Sequence, residues 1–87
     1  MSQDKTSLFN IADIDNKLVH DILSEVWESL EERGYNPSNQ IVGYLISGDP
    51  GYISSYQDAR GKIQKIDRAK IIEVLLQGFY KKTKWNI

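Results

Sequence analysis

Gly34-Tyr35-Asn36-Pro37-Ser38-Asn39-Gln40-Ile41-Val42-Gly43-Tyr44-Leu45-Ile46-Ser47-Gly48-Asp49-Pro50-Gly51-Tyr52-Ile53 holds two helix stops and two helix starts. Gly34 suits the left-handed conformation that ends a helix, and Asn36-Pro37 then supplies an N-cap followed by a first-turn proline. Gly48-Asp49-Pro50 repeats that grammar and predicts a second stop and one short turn. Between them, Pro37 to about Ser47 reads as a helix whose Ile41, Val42, Tyr44, Leu45 and Ile46 spread over more than one face, the pattern of a central or interfacial helix. Gly43 inside it predicts the close passage of another backbone or ring, at a helix crossing.

Upstream, Leu18, Val19, Ile22, Leu23, Val26, Trp27 and Leu30 recur at spacings of three and four, predicting a helix capped by Asp15 or Asn16 and stopped at Gly34. Tyr35 is placed to meet Leu30 in a Schellman-type end. Asp21, Glu25, Glu28, Glu31 and Glu32 take the opposite, solvated side. Downstream, Ser55-Tyr56-Gln57-Asp58 has the form of a capping box and predicts a third helix, with Asp58 and Lys62 spaced as a helical ion pair and Gly61 as a weak point. Asp67 caps a last helix or marks a bend ahead of an apolar stripe of Ile71, Ile72, Val74, Leu75, Leu76, Phe79 and Tyr80. Lys81, Lys82 and Lys84 suit its C-terminal end, and Trp85 is expected to pack on the domain or a partner. Strand alternation, hairpin dipeptides and internal repeats are absent from the sequence. The fold expected is therefore all-α, a compact bundle of about four to five short helices. Residues 1–14 form a mobile arm and residues 15–87 a single helical domain.

The chain has 87 residues, 40% of them hydrophobic, and a net charge of -1. A domain this small hides only about 60 to 65% of the surface its unfolded chain exposes, so a homodimer is expected. Without cysteines, disulfides, thiolate metal sites and a Cys nucleophile are excluded, and a reducing cytoplasm is the simplest compartment. Residues 1–15 lack a basic region followed by an apolar stretch, and no run is long and apolar enough for a membrane span, so no membrane partner is expected. Charge is uneven. Residues 1–33 carry eight acids and three bases, whereas residues 34–87 carry four acids and eight bases. The halves are complementary within or between subunits, or the basic half docks an anionic group.

Chemistry finds little support in the residues. His20 is the only histidine and has no set of convergent ligands or nucleophile around it, so neither a metal site nor acid–base catalysis is expected, and no cofactor. Glu28, Glu31 and Glu32 read as a solvated face. Gly48-Asp49-Pro50-Gly51 lacks the spacing of a phosphate loop. Tyr35, Tyr44, Tyr52 and Tyr56 read as core or interface residues. A helix-turn-helix reading fails because Pro37–Ser47 contains no Arg or Lys. Nucleic acid is disfavoured, and an RNA-associated protein using the Arg60–Lys70 basic segment is the alternative function. On residues alone Thr6 is an ordinary arm threonine; its exposure would let a kinase bind it in extended form, and a phosphate there would add about -1.5 to -2 charges.

Asp4-Lys5-Thr6 with Phe9, Leu30-Glu31-Glu32-Arg33-Gly34-Tyr35-Asn36-Pro37, the string to Asp58-Ala59-Arg60, Arg68 and Ile71-Ile72-Glu73-Val74-Leu75 together resemble the IreB/ReoM-type regulatory phosphoproteins of low-GC Gram-positive bacteria. The resemblance implies a small, helical, homodimeric cytoplasmic protein that is not an enzyme. It implies that a PASTA-type Ser/Thr kinase phosphorylates Thr6 and a cognate phosphatase reverses it. It also implies restraint of cell-wall (peptidoglycan) precursor synthesis, in some members through a Clp protease, its adaptor or its target enzyme. Two basic family positions are replaced, by Ser55 and Gln64, and Asp67-Arg68-Ala69-Lys70 also departs from the family pattern. Arg60, Lys62, Lys65, Arg68 and Lys70 then form an altered basic surface expected to bind a partner.

Overall fold

The computed structural model describes residues 11–85, with side chains described from 16 to 82. Four α-helices make up the fold: α1 (Ile11–Glu32), α2 (Pro37–Ser47), α3 (Ala59–Ile63) and α4 (Arg68–Trp85). Two 3-10 turns, Pro50–Tyr52 and Tyr56–Asp58, lie between α2 and α3. No strand occurs among the described residues. No helix among them is long and apolar enough to cross a membrane.

The central block folds as its punctuation requires. Gly34 takes φ 90°, Tyr35 N–H donates to Leu30 O at 2.9 Å and Gly34 N–H to Glu31 O at 3.0 Å, the paired bonds of a Schellman end. Asn36 then caps α2, its Oδ1 accepting from Asn39 N–H at 3.1 Å. Gly48, at φ 79°, donates to Tyr44 O, and Asp49 Oδ1 accepts from Gly51 N–H at 2.8 Å to start the first 3-10 turn. The close passage expected at Gly43 is real, but it is made by the ring of Tyr52 in that turn and not by a helix crossing.

Helix α1 is the spine against which α2, α3 and α4 all pack. Val19, Ile22, Val26 and Leu30 turn one stripe into the core, where they meet Ile41, Tyr44, Ile53, Ala59, Ile63, Ile66 and Ile71. Leu18 and Trp27, expected on the same broad face, are half-exposed. Among the described residues the chain is already helical at Ile11, ahead of the Asp15 or Asn16 cap expected.

The third helix departs most from expectation. Ser55 makes no side-chain cap bond; Ser54 Oγ accepts from Tyr56 N–H at 3.1 Å instead. Gln57 (φ 51°) and Asp58 (φ 61°) are both left-handed, so the chain reverses where a helix was expected to begin, and only Ala59–Ile63 is helical. Gln57 is tied down by Ser29, a buried serine of α1 whose hydroxyl donates to Gln57 Oε1 at 2.7 Å. Lys62 does not pair with Asp58. It reaches Glu25 of α1 at 3.2 Å, so part of the supposedly solvated acidic face is a docking strip for α3. Gly61 lets the Asp58 carboxylate lie over it, where a Cβ would collide.

Asp67 caps α4, its Oδ1 accepting from Ala69 N–H at 3.3 Å. The apolar stripe that follows is largely uncovered: Ile71 is buried and Val74 packs against the core, but Ile72, Leu75, Leu76, Phe79 and Tyr80 are 40–70% exposed. Trp85 and its expected packing lie outside the described side chains.

Candidate functional site

Two surfaces result from this architecture, one charged and one apolar. The charged surface lies where the end of α1 meets the reversed connection before α3. Tyr56 O–H donates to Glu32 Oε2 at 3.2 Å, and the Arg33 guanidinium lies over the Tyr56 ring, 5.8 Å from its centroid, within cation–π range. Glu32 pushes the Tyr56 phenol above its ordinary value, first by accepting its proton in a hydrogen bond and then by its negative charge, while Arg33 opposes the shift. Arg60 continues the surface. Its backbone N–H donates to Ser54 O and its Nε donates to Ile53 O at 2.8 Å, while the residue as a whole remains exposed.

The five basic residues singled out in the sequence have different fates. Arg60 and Lys65 are exposed. Lys62 is half-buried against Glu25. Lys70 is paired with Glu73 at 3.3 Å. Arg68 is turned inward, its Nη1 donating to Leu45 O at 2.9 Å. A side chain at Gly48 would come within 2.9 Å of that guanidinium. Arg68 thus caps the C-terminal end of α2, where free carbonyls and the helix dipole favour a cation. Arg33 and Tyr56, which the sequence reading did not place in the basic surface, complete it. Their signal was present in Arg33-Gly34, a cation at a helix end, but only the fold brings Tyr56 beneath it.

Thr6 lies outside the described residues, as does the rest of the segment 1–10. His20 is exposed with its Nδ1 3.8 Å from Asp21. Among the described residues no group of three or more His, Cys, Asp or Glu side chains converges.

The apolar surface is a groove of about 730 Å³ between α1, α2 and α4. Leu23 and Trp27 of α1, Ile41 and Leu45 of α2, and Leu75 and Phe79 of α4 form its walls. Glu28 stands on the α1 wall and Lys82 on the α4 wall. Gly78 also lines it, and a Cβ built there meets nothing within 4 Å.

The pattern of a family described as IreB regulatory phosphoprotein fits residues 4–81 of the chain.

Proposed function

The chain belongs to the IreB regulatory phosphoprotein family, and from that premise we propose that it is a non-enzymatic, homodimeric cytoplasmic regulator whose Thr6 is phosphorylated by a PASTA-type Ser/Thr kinase. The observation that carries this reading is the extent of the match, which begins at residue 4 and so includes Asp4-Lys5-Thr6. In this reading the helical body is a protein-binding platform, and the phosphate on Thr6 changes the field around it by about -1.5 to -2 charges. The outward cations Arg33, Arg60 and Lys65 supply donors for charge-assisted hydrogen bonds to an acidic partner or to the phosphate itself. The process controlled is cell-wall precursor synthesis, through Clp-dependent proteolysis of its target enzyme, and a cognate phosphatase resets the switch.

Intact-mass measurement of the full chain after incubation with ATP and the cognate kinase tests the first step. One phosphate is expected on the parent and none on Thr6→Ala; equal phosphate on both removes Thr6 from the scheme. A pull-down from cytosol with Arg60→Glu and Lys65→Glu baits tests the platform. Both are expected to lose the partner that the parent retains, whereas retention by both would place the contact elsewhere.

A further inference from the structure

The fold limits how far a phosphate on Thr6 can travel over its own chain. Thr6 lies five residues before Ile11, where α1 is already helical, and five residues at full extension span about 17 Å. At a rise of about 1.5 Å per residue, α1 carries Glu32 about 32 Å from Ile11. Arg33 lies one residue further, at about twice the reach of the arm. The segment 56–66 runs back along α1 in the opposite direction. Tyr56 meets Glu32 at 3.2 Å, Gln57 meets Ser29 at 2.7 Å and Lys62 meets Glu25 at 3.2 Å, so each contact stands nearer to the start of α1 than the last. Lys65 follows one turn later, its N–H donating to Lys62 O at 3.1 Å, and residues three apart in a helical turn share a face. Lys65 is therefore roughly level with Ile22, about 16 Å from Ile11 and within the reach of the arm.

We propose that the phosphate of Thr6 seats on Lys65 of its own chain, with Lys62 turning to it from Glu25, and not on Arg33. This rests on the reading that Thr6 is phosphorylated, and it names where the phosphate goes. The charges on this flank leave a cation for it. Lys17 is paired with Asp21 at 3.2 Å and Lys62 with Glu25, while Asp67 is turned to Ala69 N–H at the start of α4. Lys65 is exposed, and among the described residues no carboxylate stands within ion-pair distance of it. A phosphate of about -1.5 to -2 charges outcompetes the single charge of Glu25 for Lys62, and the Glu25 side chain, 57% exposed, is left to water. Phosphorylation then withdraws Lys65 from the platform and leaves Arg33 and Tyr56 open, so an acidic partner loses one end of its contact.

The full chain, made by chemical synthesis with phosphothreonine at position 6, tests this without reliance on any kinase; failure of the kinase reading shows separately, in the intact-mass measurement above. Phosphorus NMR over a pH series reads the second ionisation of the phosphate, about 6 when free, against a peptide of residues 1–10 carrying the same group. Lysine beside the dianion should lower that pKa by about 0.2–0.7 relative to the peptide. Lys65→Gln should return it to the peptide value, Lys62→Gln should return it in part, and Arg33→Gln should leave it low. Circular dichroism should show the helicity of the parent in Lys65→Gln, because the side chain is exposed. A parent value equal to that of the peptide, a value still low in Lys65→Gln, or one restored by Arg33→Gln would overturn the site. Excess unphosphorylated parent added to the phosphorylated Lys65→Gln chain should change nothing; a fall in pKa on that addition would place the phosphate on a second copy and overturn the contact within one chain.

Discussion

Helices α1 and α4 carry apolar residues at the same spacing, yet Val19, Val26 and Leu30 of α1 are at most 1% exposed while Leu76, Phe79 and Tyr80 of α4 are 63–70% exposed. The difference is one of neighbours. Residues on α1 pack against α2, α3 and α4, whereas of the α4 stripe only Ile71 and Val74 meet the core. A hydrophobic stripe is thus a request for a partner, and the chain itself answers it only for part of α4.

The largest test of that contrast removes one side chain from each region. Leu30→Ala should cost about 2–5 kcal/mol, because the fully buried site cannot collapse around the lost atoms. Leu76→Ala should change the stability of the dilute single chain by less than about 0.5 kcal/mol, as exposed substitutions do. Urea unfolding at low protein concentration measures both, and comparable losses would erase the distinction.

A smaller effect separates two charges. Replacing Arg68 by methionine keeps much of its length but removes the donor to Leu45 O, and a hydrogen bond from a charged group is worth about 1.5–3 kcal/mol. The same change at Lys65, which is exposed, should fall within about 0.5 kcal/mol. If the two variants melt alike, Arg68 is not the clasp of α2.

Two helical glycines give a test by sign. Gly78→Ala should stabilise the dilute chain by about 0.5–1 kcal/mol through helix propensity alone. Gly43→Ala gains the same propensity but forces the Tyr52 ring away, and overpacking of this kind costs about 1–3 kcal/mol, so the net effect should be destabilising. Opposite shifts in thermal midpoint are expected, and shifts of one sign would mean that Tyr52 moves at no cost.

The smallest effect is a pH dependence. Because Glu32 favours the protonated Tyr56 phenol in the folded chain, the contribution of this contact is full below the unfolded tyrosine value of about 10 and is lost as pH rises through the higher folded value. The stability difference between parent and Tyr56→Phe should therefore be flat at neutral pH and shrink at strongly alkaline pH. A difference that stays constant through that range would remove Glu32 as the cause.

The two stops and starts between Gly34 and Pro50 were legible because each depends on a residue's own backbone preference or on a side chain bonding two or three residues away. The same locality explains the failure at Ser55–Asp58. A capping box can be read from four residues, but Gln57 is held by Ser29, twenty-eight positions upstream, and that bond carries the left-handed turn. Among the candidate binding residues, the sequence shows charge but not direction: Arg60 and Lys65 face outward, while Arg68 points at a carbonyl of α2.

The sequence by itself determined the all-α class, the punctuation of α2 and the family, since these depend on residue order and on local hydrogen bonding. The tertiary structure alone decided which apolar stripe is covered, which cations remain outside and where the empty groove lies. Those properties depend on contacts between residues far apart in the chain, and spacing along a helix fixes a face without fixing what stands opposite it.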